Sequence, residues 1–179
     1  NAHYFASSLP PSARRKAAIV HGGGEALMSV ASSALGIRTA GVFDAEAMAA
    51  IHRACFAKNW SAGEIAQFLG APGCLSLVAS LSPQQTVQGF LIVRSAGDES
   101  EILTLAVNPS HRRQGLARAL LTAAIDSLRK AGAKRLFLEV ESGNESPRGL
   151  YQSLGVIAVG HRPRYYEHGA DADIFSLAL

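Results

Sequence analysis

The stretch Glu101 to Ala131, EILTLAVNPSHRRQGLARALLTAAIDSLRKA, limits what this chain can fold into more than any other. Glu101 to Val107 is a nearly continuous apolar run, the pattern of a strand covered on both faces. Asn108-Pro109 stops it, because proline has no N–H to add to a ladder. Leu116, Leu120, Leu121, Ala124, Ile125 and Leu128 then recur at helical spacing, and Gly132 ends the helix. The loop between them, Arg112-Arg113-Gln114-Gly115-Leu116-Ala117, falls where that helix begins. A helix start offers unpaired N–H groups and the positive end of the helix dipole, which together seat a phosphate. Gly115 has no side chain to hold a phosphate off the backbone, and Arg112, Arg113 and Arg118 add cationic donors. Two readings of this loop stand: a seat for a phosphate-bearing ligand, or a solvated basic loop capping a surface helix.

The rest of the chain divides at about residue 37. Residues 1 to 36 read as an arm, partly irregular, with Pro10-Pro11, a basic Arg14-Arg15-Lys16 cluster and Gly22-Gly23-Gly24. The glycine run lacks the Lys-Ser/Thr of a P-loop, and a short helix fits Glu25 to Ala34. Residues 37 to 179 are regular. Ile37 to Phe43 reads as a short strand, followed by a helix capped by Asp44 and running to Phe56. Ser61, with Glu64 three residues on, caps a second helix that ends near Gly70. Cys74 to Ser80 and Val87 to Arg94 form an antiparallel hairpin around Ser82-Pro83-Gln84-Gln85. Leu136 to Glu141 is a strand, Asn144 to Leu154 a helix, and Val156 to His161 and Ile174 to Leu179 the last strands. This order predicts an α/β (α+β) sandwich with a mixed sheet.

Composition excludes several classes. Hydrophobic residues make up 48% of the 179, enough for one sizeable core. The net charge of +3 is too small to argue for nucleic acid without a patterned basic face. No apolar run reaches the roughly 18 residues of a membrane span. A cytoplasmic location is the default expectation, as monomer or homodimer. The two cysteines, Cys55 and Cys74, lie in apolar contexts and read as small buried hydrophobes. They and the six histidines have no metal-ligand spacing, so no metal is expected.

NPSHRRQGLARALL, then LFLEV, then NESPRGLYQSLG, resembles the acetyl-coenzyme A dependent N-acetyltransferase superfamily, GNAT. The family's loop pattern, Gln/Arg-x-x-Gly-x-Gly/Ala, is met by Arg112, Gly115 and Ala117, and the resemblance covers about Ile37 to Leu179. The later segments resemble most the bacterial ribosomal-protein alanine N-acetyltransferases, through the spacing of Glu139 and Tyr151, Asn144 between them, Asn59-Trp60-Ser61, and Tyr165-Tyr166. The resemblance implies a mostly antiparallel sheet flanked by helices, with two splayed parallel strands forming an acetyl-CoA cleft. It implies that the pantetheine arm pairs with backbone at Leu105, Ala106 and Val107. The pyrophosphate would rest on Gln114, Gly115, Leu116 and Ala117 with Arg112, Arg113 and Arg118 around it, and Asn144 and Tyr151 would contact the arm.

In the implied reaction an amine attacks the thioester directly in a ternary complex. Glu139 is the candidate base, with Glu101 on the adjoining strand as its rival. The plainer reading of Glu139 is a strand face shared with Phe137 and Glu141. Tyr151 is the candidate acid for the leaving thiolate; the plainer reading is a core aromatic beside Leu150 and Leu154. Trp60, Tyr165 and Tyr166 resemble residues that wall an acceptor site. Neither cysteine has a base nearby in the pattern, which disfavours an acetyl-cysteine intermediate. Pro147 and Gly155-Val156 depart from the subfamily's pattern. The expected acceptor is the N-terminal amine of a protein such as a ribosomal protein; the alternatives are a small amine or antibiotic, or an acetyl-CoA binding module without catalysis.

Overall fold

A computed structural model describes residues 35–82, 85–143, 145–165 and 169–179. The arm, apart from its last two residues, and the tip of the first hairpin lie outside them. The expected antiparallel hairpin forms from β2 (Cys74–Ser80) and β3 (Gly89–Ala96), its second strand two residues later than the expected Val87 to Arg94, in register from Cys74↔Arg94 to Ala79↔Gly89. The strand β4 (Glu99–Val107) adds antiparallel to β3, and β1 (Gly36–Thr39) adds to the outside of β2. The helix α3 (Leu116–Lys130) carries the chain back to β5 (Arg135–Glu141), which pairs parallel with β4. The helix α4 (Glu145–Gln152) precedes β6 (Ile157–Arg162) and β7 (Ala172–Ala178). The sheet has seven strands in the order β1-β2-β3-β4-β5-β7-β6, all neighbours antiparallel except β4 and β5.

Helices cover both faces. Leu116, Leu120, Leu121, Ala124, Ile125 and Leu128 of α3 are all buried in one core cluster, with Leu136, Leu138 and Val140 of β5 and with Tyr151 of α4. Met48 and Ile51 of α1 (Ala45–Cys55) and Ile65 of α2 (Ala62–Ala66) fill a second cluster against Phe90, Ile92, Leu103 and Ala106. Apolar burial is worth about 25 cal/mol per Å², so these two layers set the fold's stability.

The first strand stops at Thr39, four residues short of the expected Phe43. Val42 to Asp44 instead form a 3-10 turn. Asp44 does precede α1, but its carboxylate turns back, accepting from the Gly41 N–H at 2.8 Å and from both Arg38 terminal nitrogens at 2.7 Å. The Arg38 hydrogen bonds hold the Asp44 carboxyl below the usual carboxylate range. Ser61 and Glu64 close the expected capping box, with Ser61 Oγ accepting from the Glu64 N–H at 3.2 Å. Its helix ends at Ala66 rather than near Gly70, and the chain continues as turns.

Candidate active site

The site is built by a failure of strand pairing. β4 and β5 pair over three positions, Glu99↔Arg135, Ser100↔Leu136 and Glu101↔Phe137, and beyond them the strands run on to Val107 and Glu141 without pairing to each other. The cause lies on the other edge of β4. Val93 faces Ile102 while Ile92 faces Thr104, so Leu103 is an extra residue and the strand carries a β-bulge. A bulge bends its strand and increases the local twist. Here it sits where β4 departs from β5.

The bent half of β4 offers backbone to that opening. The Asn108 N–H donates to the Gln88 carbonyl at 2.8 Å. Alternate residues of an antiparallel strand point to the same neighbour, so Ala106 turns its polar groups to β3 while Leu105 and Val107 turn theirs to the opening. The Leu105 backbone and the Val107 N–H are thus open to a ligand between the strands, while the Ala106 backbone is engaged with β3. The side chains of Leu105, Ala106 and Val107 are buried, so only their main chain is available.

Beyond the strand, Asn108 Oδ1 accepts from the Ser110 N–H at 3.2 Å and closes a short 3-10 turn, Pro109–His111. Arg113 has φ 62° and Gly115 φ 83°, two left-handed residues that swing the chain into α3. α3 then starts with no side-chain cap and no acidic residue in its first turn, which leaves its first N–H groups without helical partners. A cavity of about 340 Å³ lies there, lined by Val107, His111, Arg112, Arg113, Gly115, Leu116, Ala117 and Arg118 and, across from them, by Gly149 and Leu150 of α4. Gln114 is exposed beside it.

The three arginines differ. Arg113 is exposed at the cavity. Arg118 donates to Ser153 Oγ at 2.7 Å and ties α3 to the turn after α4. Arg112 turns inward: its Nε donates to the Val107 carbonyl at 3.4 Å and its Nη2 lies 3.6 Å from Cys55 Sγ. The Cys55 thiol donates to the same carbonyl at 3.3 Å. Arg112 and Cys55 thus brace the end of β4 against α1.

Glu139 and Tyr151 lie on opposite faces of the sheet. Leu136, Leu138 and Val140 pack in the α3 core with Tyr151, which is 1% exposed. Alternation puts Glu139 on the other face. The two can act on one bond only through the opening between β4 and β5. Glu101 shares the Glu139 face, since it stands opposite Phe137, two residues before Glu139, and Arg94 Nη2 donates to its carboxylate. Burial pushes the Glu101 carboxyl above its usual range, against the pull of Arg94. Glu139 accepts from Arg162 Nη1 at 2.6 Å, and that guanidinium also lies 5.3 Å over the Tyr165 ring.

The loop bearing Tyr165 is tied at its base. His161 Nδ1 lies 2.9 Å from Asp173 Oδ1 and Nε2 lies 3.2 Å from Asp171 Oδ2, while Asp171 Oδ1 accepts from the Arg164 N–H at 2.7 Å. The Asp173 bond, foremost, raises the His161 pKa. Trp60 lies in the core between α1 and α2. It is 4% exposed, stacked on His52 at 5.0 Å and Phe68 at 5.2 Å, and its backbone N–H donates to His52 Nδ1 at 3.0 Å. A ring that large gains more from the α1–α2 core than from solvent. Asn144 and Tyr166 lie outside the described residues. Arg162 and Arg94 escaped the reading of the sequence, because no spacing brings β3, β5 and β6 together.

The chain belongs to the acetyltransferase (GNAT) family, whose model matches residues 45–156. It is an N-acetyltransferase that uses acetyl-CoA, and a resident of the opening fits what the residues offer: backbone at Leu105 and Val107, and a cradle at Gly115. Among relatives, the ribosomal protein bS18-alanine N-acetyltransferase of Escherichia coli K12 is 37% identical over 102 residues, 55% of this chain and 69% of that protein. The corresponding enzyme of Haemophilus ducreyi is 34% identical over 116 residues, 65% of this chain and 78% of its own. The solved Escherichia coli ribosomal-protein-S18-alanine N-acetyltransferase superposes with a TM-score of 0.73 at 32% identity, covering 80% of this chain and 93% of that one. The Salmonella typhimurium yncA structure, solved with its cofactor acetyl-CoA, shares the fold with a TM-score of 0.69 at 24% identity, covering 82% and 94%.

Proposed function

We propose that this enzyme acetylates the N-terminal α-amine of a protein, with a ribosomal protein as the acceptor, in the cytoplasm. The observation that carries the reading is the opening between β4 and β5, with Glu139 on one face and Tyr151 on the other. The names of the relatives at 34–37% identity supply the acceptor class.

Acetyl-CoA supplies an activated thioester when bound. In this reading the Leu105 and Val107 backbone and the start of α3 hold it, with Arg113 and Arg118 beside its phosphates. The acceptor approaches from the Glu139 face, beside Tyr165. A peptide α-amine has a pKa of about 8, so a fraction is neutral near pH 7 and modest help suffices. Glu139 receives its proton, directly or through a water, with Glu101 a second carboxylate on the same face. A thiol pKa of about 8.5 makes the thiolate a tolerable leaving group, and the Tyr151 hydroxyl protonates it from the other face.

The test is acetylation of an array of peptides with varied N-termini beside a panel of small amines and aminoglycosides. Peptides beginning with alanine should be acetylated with the highest kcat/KM. Transfer to the small amines alone would overturn the acceptor assignment.

A further inference from the structure

Arg162 stands between Glu139 and the Tyr165 ring. Its guanidinium bonds Glu139 at 2.6 Å and lies 5.3 Å over Tyr165, so it touches both the candidate base and the one described wall of the acceptor site. It is one-third exposed, at the inner side of the edge strand β6, and reaches Glu139 across β7. The register puts Arg162 opposite Ala172, Ala172 opposite Glu141, and Ile174 opposite Glu139, so all share one face. The groups that face the pair are Glu101 on β4 with its partner Arg94 on β3, Glu141 on β5, and Tyr165. His161 bonds Asp171 and Asp173, and the register puts His161 and Asp173 on the opposite face.

We propose that Arg162 is a positioning residue that keeps the acceptor amine unprotonated, by occupying Glu139 before the amine arrives. This rests on the reading of Glu139 as the residue beside the amine. A guanidinium does not lose its proton in a protein, whereas an α-amine does so near pH 8. An ammonium that enters finds the Glu139 charge already matched and a fixed cation close by. It gains little from the carboxylate and is pushed toward the neutral form, which is the nucleophile. The enzyme binds its acceptor less tightly in exchange for delivering it ready to attack. The plainer role, a strut between β5 and β6, would make no distinction between protonated and neutral acceptor.

The experiment compares the unaltered protein with Arg162→Gln and Arg162→Lys, using a peptide that begins with alanine. Removing a cation beside an amine raises the amine's pKa, so the acidic limb of the kcat profile should move up by about one pH unit in Arg162→Gln. Near pH 7 its kcat should fall about tenfold, its acceptor KM should fall as well, and near pH 9 its kcat should approach that of the unaltered protein. Arg162→Lys keeps the charge and should keep the profile. Calorimetric binding with coenzyme A present gives a readout apart from turnover: Arg162→Gln should bind the free peptide more tightly and the N-acetylated peptide no differently. Coincident pH limbs in variants that still transfer acetyl, or a rise in acceptor KM in Arg162→Gln, would overturn the proposal and leave the function standing. Failure of the unaltered protein to bind or acetylate any N-terminal peptide would overturn the function and the proposal with it.

Discussion

Gly115→Ala, set beside Gly132→Ala, separates the phosphate seat from helix strain. Both glycines flank α3, Gly115 at its start with φ 83° and Gly132 after its end with φ 86°. A left-handed backbone costs an L-residue about 1–2 kcal/mol. The added methyl group brings no clash at either position: at Gly115 it would meet Leu35 Cδ1 at 3.8 Å, an ordinary contact, and at Gly132 nothing within 4 Å. Both variants should therefore lose about 1–2 kcal/mol, a fall in Tm of about 2–8 °C for a chain of this size. Only Gly115 lines the cavity at the helix start. A methyl group there stands between a phosphate and the N–H groups, and loss of one charge-assisted hydrogen bond is worth about 1.5–3 kcal/mol, or roughly 10- to 100-fold in affinity. Thermal unfolding and the KM for acetyl-CoA are the two assays. Equal Tm losses with a raised KM in Gly115→Ala alone are expected. Equal KM values in the two variants would refute the assignment of the helix start as the phosphate seat.

Two further variants probe the two faces. Tyr151→Phe removes one hydroxyl from a side chain buried in the α3 core; steady-state kinetics should show kcat lower by about 10²- to 10⁴-fold with the KM for acetyl-CoA kept, and an unchanged kcat would leave Tyr151 a core aromatic. Glu101 has its pKa raised by burial, so in the unaltered protein its ionisation costs stability, present in full below the ordinary value of 4.5 and lost as pH rises through the folded-state value. Urea unfolding across that window should show Glu101→Gln gaining on the unaltered protein as pH rises; a gap that is flat or shrinks with pH would mean that Arg94, not burial, governs this carboxyl.

Much of this fold is legible along the chain because its signals are local. The stripe of α3, the Ser61–Glu64 capping box and the hairpin of β2 and β3 each depend on residues a few positions apart, and each formed, the second hairpin strand two residues later than expected. The strand ends are less legible. Thr39 closes β1 because Arg38 and Gly41 draw the Asp44 carboxylate back on itself, a bond that competes with strand continuation. Trp60 carried no signal that would tell a core ring from a substrate wall; its partner His52 decided for the core.

The sequence alone determined that a helix begins at a glycine among arginines after a buried strand, and that a carboxylate and a tyrosine follow at set spacing. Those features are local, and backbone preference with hydrophobic period suffices to produce them. Only the tertiary structure decided that the strands part. The extra residue Leu103 is extra only with respect to β3, and the three-position pairing of β4 with β5 exists only once α3 has brought β5 alongside. The same holds for the charges. Arg162 meets Glu139 across an intervening strand, and Glu101 is pushed up by its burial in the folded sheet. A site made from separate strands takes its geometry from the sheet, because long-range register, not neighbouring residues, sets which side chains meet.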